Sequence, residues 1–399
     1  MKNKAEEFVF NVCKNTFLSL WSYANPLGKD GKELCDILVV CEPDIIIFSV
    51  KEIEVTDGVD VLTSWKRWNR RAIEESAKQA YGAERWLKSA PHVIKSNGTP
   101  GLNLPDEKDQ IIHRVVVALG GKDKVPIAYG DFGKGFVHVL DEISFSIVLQ
   151  ELDTVTDLIE YLSAKEKFYM SGKKTPVLAG EENLLAFYLH SGREFPSNVD
   201  NVMLNGNLWE ALIKKPDYRR KKEADEISYA WDAIIEDISK HVLKGTLEYS
   251  NTPDQGEQIL RVMAKENRTY RRILGKHFVE FIDLSAQNKL QARMLPSPSG
   301  IIYVILALPH SIDREYRRAE LGMRCFIARG LNKDNKTIIG IATEKYKPGH
   351  GHSFDLCYRY MPDWTEEDQA QMVEIQEKTG FWLNPAKLEY HEDEYPQDD

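Results

Sequence analysis

The chain has 399 residues, 29% of them charged and 42% hydrophobic, with 52 Lys+Arg against 62 Asp+Glu for a net charge of −10. At roughly 100–200 residues per domain this length suggests two or three domains, each able to bury its own core, and the acidic balance excludes indiscriminate coating of nucleic acid while leaving room for a local basic face. Five cysteines, an odd number partly set in apolar runs, point to a reducing cytoplasm; no apolar run approaches the roughly 18–20 residues of a membrane span, and residues 1–7 run into a helix pattern instead of a signal peptide. In chain order, Val9, Val12, Cys13, Thr16 and Leu20 recur at helical spacing over 5–23, and Asn25-Pro26 stops that helix. Apolar runs 34–41 and 45–50, split by Glu42-Pro43-Asp44, read as a strand pair. Ser64 caps a helix reaching about 88, with Trp65, Trp68, Ala72, Ser76, Gln79, Ala83 and Trp86 along its stripe. Strands are expected at 111–119 and 135–140, and a helix at 154–167.

The Gly/Pro/Ser/Asn-rich stretch 171–207 is the expected boundary after a first domain, 1–170. Beyond it, helices are expected at 208–215, 222–243, 254–288, 313–330 and 365–379, with strands at 301–308, 337–342 and 354–358, giving a C-terminal α+β domain over 208–390 and a disordered acidic tail over 391–399.

The chemistry gathers around Glu33, Asp36, Ser49 and Lys51. Residues two apart on a strand leave one face, so Ser49 and Lys51 point together, and an Asp at one strand's start can meet a Lys at its neighbour's end. Carboxylate oxygens are hard ligands for Mg²⁺ or Mn²⁺, and an ammonium beside them stabilises the charge that develops during phosphodiester hydrolysis. Seven basic residues against three acidic ones mark the helix from Ser64, among them Arg67, Arg70, Arg71 and Lys78, which could position phosphates; a solvated helix face is the plainer reading. Arg261, Lys265, Arg268, Arg271, Arg272 and Lys276 form a second helical basic group that could extend a nucleic-acid groove or clamp a phosphate, and Arg219-Arg220-Lys221-Lys222 looks like a helix start or loop. Gly349-His350-Gly351-His352 reads as a loop rather than a metal site, and Trp65 and Trp68 as core packing rather than base-stacking platforms.

The order helix, strands, helix, strand, with Asp36 before one strand and Ser49-Val50-Lys51 closing the next, resembles the PD-(D/E)xK nuclease superfamily over residues 5–119. The resemblance implies an α/β fold with a restriction-endonuclease-like core (helix, three-strand meander, helix, strand) and a metal-dependent nuclease acting on DNA, with RNA left open, in a role such as anti-phage defence. It implies Asp36, Ser49, Lys51 and Gln79 as catalytic residues, and Asp36 with Glu33 or Glu6 as ligands of Mg²⁺ or Mn²⁺. Glu6 fits because it precedes Val9 and Cys13 on one helix face. Ser49 stands where the family has Asp or Glu. The segment Gly31-Lys32-Glu33-Leu34-Cys35-Asp36 and the block Lys78-Gln79-Ala80-Tyr81-Gly82-Ala83-Glu84-Arg85-Trp86 look like those of a group of bacterial proteins in which serine at that position is typical. Membrane association is not expected, and a homodimer is compatible with this reading. Two alternatives stand beside it: an inactive nuclease fold that holds nucleic acid or a partner protein, and a sensor-effector in which the C-terminal domain gates the nuclease.

Overall fold

The computed structural model describes residues 3–55, 60–121, 127–171, 180–197, 202, 204, 206–244, 253–386 and 392–396. It divides into two compact units, Met1–Arg219 and Arg220–Asp399, both of mixed α/β structure.

The first unit contains, in order, α1 (Lys4–Trp21), β1 (Ser22–Ala24), β2 (Ile37–Cys41), β3 (Asp44–Glu52), α2 (Val61–Trp68), a π-helical stretch (Asn69–Glu74), α3 (Glu75–Leu87), β4 (His92–Ile94), β5 (Pro100–Asn103), β6 (Ile111–Leu119), β7 (Gly130–Asp131), β8 (Phe136–Leu140), α4 (Glu142–Glu151), α5 (Val155–Met170), α6 (Glu181–His190) and α7 (Leu208–Ile213). The main sheet runs β1-β2-β3-β6-β8-β7. β1, β2 and β3 pair antiparallel, while β3, β6 and β8 pair parallel. β2, β3 and β6 are apolar nearly throughout, as strands covered on both faces must be, and the helices from α2 to α3 bridge β3 to β6. Trp68, Ala72, Ile73, Ala77 and Tyr81 pack on Val116, Ala118, Val137 and Val139. Trp68 also donates from Nε1 to the Ile53 carbonyl at 2.8 Å, so it serves packing.

Four boundaries differ from the sequence expectation. β2 starts at Ile37, because the chain bends at Asp36. α2 starts at Val61, since Asp60 takes the capping role expected of Ser64 by accepting from the Thr63 N–H at 3.0 Å. The 171–207 stretch contains α6, whose Leu184, Leu185, Tyr188 and Leu189 are buried, and the division between units falls beyond it, inside α8 (Pro216–Asp225). α4 lies between the strand expected at 135–140 and the helix expected at 154–167; it is closed at its start by the reciprocal capping of Asp141 and Ser144.

The second unit continues with α9 (Tyr229–Leu243), α10 (Pro253–Ala264), α11 (Arg268–Ala286), β9 (Ala292–Pro296), β10 (Ile301–Leu308), α12 (Arg314–Leu331), β11 (Thr337–Glu344), β12 (Asp355–Tyr360) and α13 (Glu366–Thr379). Its sheet, β12-β11-β10-β9, is antiparallel at both edges and parallel between β10 and β11. α12 is the crossover between those two strands, packing Leu321, Cys325 and Ala328 on Val304, Ile338 and Ala342.

Two expectations are corrected in this unit. Arg268, Arg271 and Arg272 are buried and consumed by internal partners. Arg268 and Arg271 share Asp232 at 2.8 and 2.6 Å, and Arg272 binds Asp225 and Glu392, both at 3.0 Å. They hold the fold and are not offered to a nucleic acid. The same Arg272 donates to the main-chain carbonyls of Asp393 and Glu394, so part of the acidic tail, 392–396, is held in place instead of disordered.

Candidate functional site

The register of β2 on β3 pairs Ile37 with Phe48, which brings Asp36 opposite Ser49 one step past the end of that ladder. There the Val50 N–H donates to Asp36 Oδ2 at 2.7 Å. Burial is the main cause that pushes the Asp36 carboxyl up to about 6; the Val50 N–H opposes it, Glu33 and Glu6 add like-charge repulsion, and Lys51 pulls the other way. Those three side chains therefore lie within electrostatic reach of Asp36, at the carboxyl end of β3.

Each arrives from a different element. Glu6 sits in the first turn of α1, buried, with its main-chain N–H capped by Asn3 Oδ1 at 2.8 Å and its own carboxylate accepting from Asn3 Nδ2 at 2.9 Å. Glu33 is not on β2, where alternation with Asp36 would have opposed the two side chains. It lies in the preceding segment, bridged to Leu27, and the bend at Asp36 lets both acids approach one place. Ser49 is buried and donates from Oγ to Gln79 Oε1 at 3.1 Å. Gln79 itself is exposed on α3, which corrects its expected position on the buried stripe: the sheet-facing positions nearby are Ser76, Ala77, Ala80 and Ala83, and Gln79 reaches Ser49 from the rim.

Asn25 is a contributor that sequence reading missed. Its Nδ2 donates to Glu33 Oε2 at 3.2 Å and to Glu6 Oε2 at 3.5 Å, and its main-chain N–H donates to the Asp36 carbonyl at 2.8 Å. It occupies φ 46°, a left-handed conformation that asparagine tolerates better than most residues. The Asn25-Pro26 pair carries the signal, but reads from sequence only as a helix stop.

Among the described residues no group of three or more His, Cys, Asp or Glu side chains is arranged closely enough to hold a metal ion. Asp36, Glu33 and Glu6 are drawn into one neighbourhood with Asn25 between the two glutamates. Arg67, Arg70, Arg71 and Lys78 are all exposed, and Arg70 and Arg71 fall in the π-helical stretch, a local widening often found beside functional sites. A cleft of about 1220 Å³ opens at the other end of β6, between Ile111, Arg114, Glu84 and Glu166, and does not include Asp36. His350 and His352 lie exposed in a loop of the second unit.

Comparison of the chain with protein-family models, curated proteins and solved structures found no match.

Proposed function

We propose that the first unit is a restriction-endonuclease-like core of the PD-(D/E)xK type and that the protein is a metal-dependent nuclease acting on DNA, with defence against phage as the setting that fits. The observation that carries this reading is Asp36, half-buried against the like charges of Glu33 and Glu6, drawn by Lys51 and held by the Val50 N–H. The support from topology is the order α1, antiparallel β1-β2-β3, the α2–α3 crossover and parallel β6, the order that the sequence resemblance implies.

The donor set is chemically suited to Mg²⁺ or Mn²⁺: hard carboxylate oxygens, crowded so that a cation would relieve their repulsion. Asp36, with Glu33 or Glu6, would hold it; when bound, the ion lowers the pKa of a coordinated water and offsets phosphate charge. Lys51 supplies a fixed positive charge beside the attacking oxygen. Ser49, close to Lys51 in the chain, pairs with Gln79, and Arg70 and Arg71 orient the phosphate backbone without reading sequence.

One observation favours a second reading, a non-catalytic module that holds nucleic acid: Ser49 stands where an acid would complete the ligand set, and no three-donor group is assembled among the described residues. The deciding experiment is a cleavage panel of supercoiled, linear and single-stranded DNA and of RNA with Mn²⁺, run on the full chain and on Asp36→Ala and Lys51→Ala. Cleavage lost in both variants supports the nuclease. Absence of any cleavage, or cleavage indifferent to both changes, overturns it, and Mn²⁺-independent binding to the same substrates would then select the module.

A further inference from the structure

The second unit contains a pocket that the proposed nuclease site does not use. A cavity of about 480 Å³ lies where α9 and α11 face the ends of β10 and β11. Both strands are parallel, and their carboxyl ends open into the cavity through His310 just after β10 and the 343–352 segment that closes β11. The crevice outside the carboxyl ends of parallel strands is where α/β sheets bind small molecules, and this volume falls in the range of such sites.

The lining is divided. Ile234, Phe278 and Phe354 are buried at its floor, with Ile282 beside them. The rim carries the ammonium groups of Lys240, Lys345 and Lys347, with the imidazoles of His310, His350 and His352 beside them as hydrogen-bonding groups. The two acids at the rim are already engaged: Asp237 takes Lys240 at 3.1 Å and His352 at 3.0 Å, and Glu344 takes Arg317 at 2.5 Å and the Ser353 N–H and hydroxyl, both at 2.7 Å. Lys347 and His310 form no ion pair among the described residues, and the His310 and His350 rings lie 5.4 Å apart, centroid to centroid. The charge left over is positive and is carried by the ammonium groups of Lys347 and of Lys345, the latter also donating to Asn288 Oδ1 at 2.8 Å. Arg317, the guanidinium nearby, is spent on Glu344 and Asp355. Lysine ammonium groups bind phosphate as point charges, and imidazole N–H groups add donors to phosphate oxygens. A floor of aromatic and branched side chains next to that rim suits a flat ring.

We propose that this pocket binds a nucleoside phosphate, its base against Phe278, Ile234 and Phe354 and its phosphates at the Lys347, Lys345 and His310 rim. The site stands independently of the nuclease reading, because every residue of it belongs to the second unit.

The test is calorimetric titration of the full chain, with EDTA present, using nucleoside mono- and triphosphates of all four bases, with nucleosides and inorganic phosphate as separate arms. Saturable binding of one or more nucleotides at one site per chain is expected, weakened about tenfold or more for the matching nucleoside or for phosphate alone, and by a similar factor in Lys347→Glu and His310→Ala. Both positions are exposed, so neither variant should fail to fold. Asp36→Asn should bind nucleotide as the unaltered chain does. No saturable binding by any nucleotide overturns the proposal. So does phosphate alone binding as tightly as the nucleotide, binding indifferent to Lys347→Glu, or binding lost in Asp36→Asn.

Discussion

Asp36 carries a proton-linked cost that can be measured without any assay of activity. Its carboxyl is held near 6 in the folded chain against an ordinary value of 3.8. Below 3.8 both folded and unfolded states are protonated; between about 4 and 6 the unfolded chain gives up its proton while the folded chain keeps it, so stability falls as pH rises through that window and stays lowered above it. A shift of about two units corresponds to at most ~3 kcal/mol, less because the group retains some solvent exposure. Asp36→Asn removes the titration while an amide oxygen still accepts from Val50, so chemical denaturation in EDTA should find the variant more stable than the parent by ~1–3 kcal/mol at pH 7.5, with the gap closing toward pH 4. Equal stability at both pH values would deny the desolvated, crowded environment. Asn25 offers a second residue-scale expectation. Asn25→Gly keeps the positive φ but removes the amide that links Glu6 and Glu33, so on the proposed nuclease reading Mn²⁺ affinity and cleavage should drop on the order of 10–100-fold, as when an outer-shell partner is removed, with little change in melting temperature. The shared face of Ser49 and Lys51 is legible in the sequence because both lie on β3 two residues apart, and Asp36 is legible as the acid just before the neighbouring strand. Asn25 is not, because its role depends on a turn that brings residues 6, 25, 33 and 36 together from separate segments.

At the scale of elements, periodicity finds what alternates and misses what does not. β6 occupies the expected residues 111–119, and Thr154 caps α5 by accepting from the Asp157 N–H at 3.1 Å. α4 escapes notice because Glu142–Glu151 is apolar on most sides, with Phe145, Val148 and Leu149 buried; a helix surrounded by protein lacks the polar face that gives helices away in sequence. The second basic group shows the reverse error. Arg261 to Lys276 has helical spacing, and spacing alone cannot tell an exposed cationic stripe from an internal ion-pair lattice. Arg271 is buried, with Asp232, the Glu266 carbonyl and the Ala264 carbonyl as acceptors. Arg271→Ala should therefore destabilise the second unit by ~3–5 kcal/mol, the usual cost of stranding one partner of a buried pair, and leave nucleic-acid affinity per folded molecule unchanged. Arg70→Ala and Arg71→Ala should do the opposite, lowering affinity and reducing the slope of log affinity against log salt by about 0.9 for each phosphate that is no longer neutralised, with stability intact. Thermal melts and salt-series binding curves on the same preparations separate the two patterns.

For the whole chain, the question is where an independent first unit ends. Composition puts the boundary in 171–207, since Gly, Pro, Ser and Asn mark linkers; yet that stretch includes α6, which carries Glu181 to Lys165. The Lys165 ammonium is fully buried and bonded to both Glu181 oxygens at 2.6 Å, while Tyr161 donates its hydroxyl to the same carboxylate at 2.6 Å. Burial alone pushes the Lys165 pKa down, and Glu181 restores part of it. A fragment of residues 1–170 deletes that counter-charge along with Leu184, Leu185, Tyr188 and Leu189, leaving an ammonium to be neutralised or rehydrated inside the core at ~3–5 kcal/mol, a large share of the roughly 5–15 kcal/mol that holds a domain together. A fragment of residues 1–219 keeps the pair. The longer fragment is expected to unfold cooperatively and the shorter one to be loosened or aggregated, by circular dichroism and urea titration. Glu181→Gln in the full chain should reproduce much of the loss, and Lys165→Met with Glu181→Leu should recover most of it, because a buried ion pair replaced on both sides by apolar groups of similar volume leaves no charge stranded. If residues 1–170 fold as stably as 1–219, α6 is an ornament and the boundary inferred from composition is the right one. If only 1–219 folds, it is the fragment to compare with the full chain in a test of the proposed cleavage: a fragment more active than the parent would mean that residues beyond 219 restrain the proposed activity, and equal rates would mean that they do not.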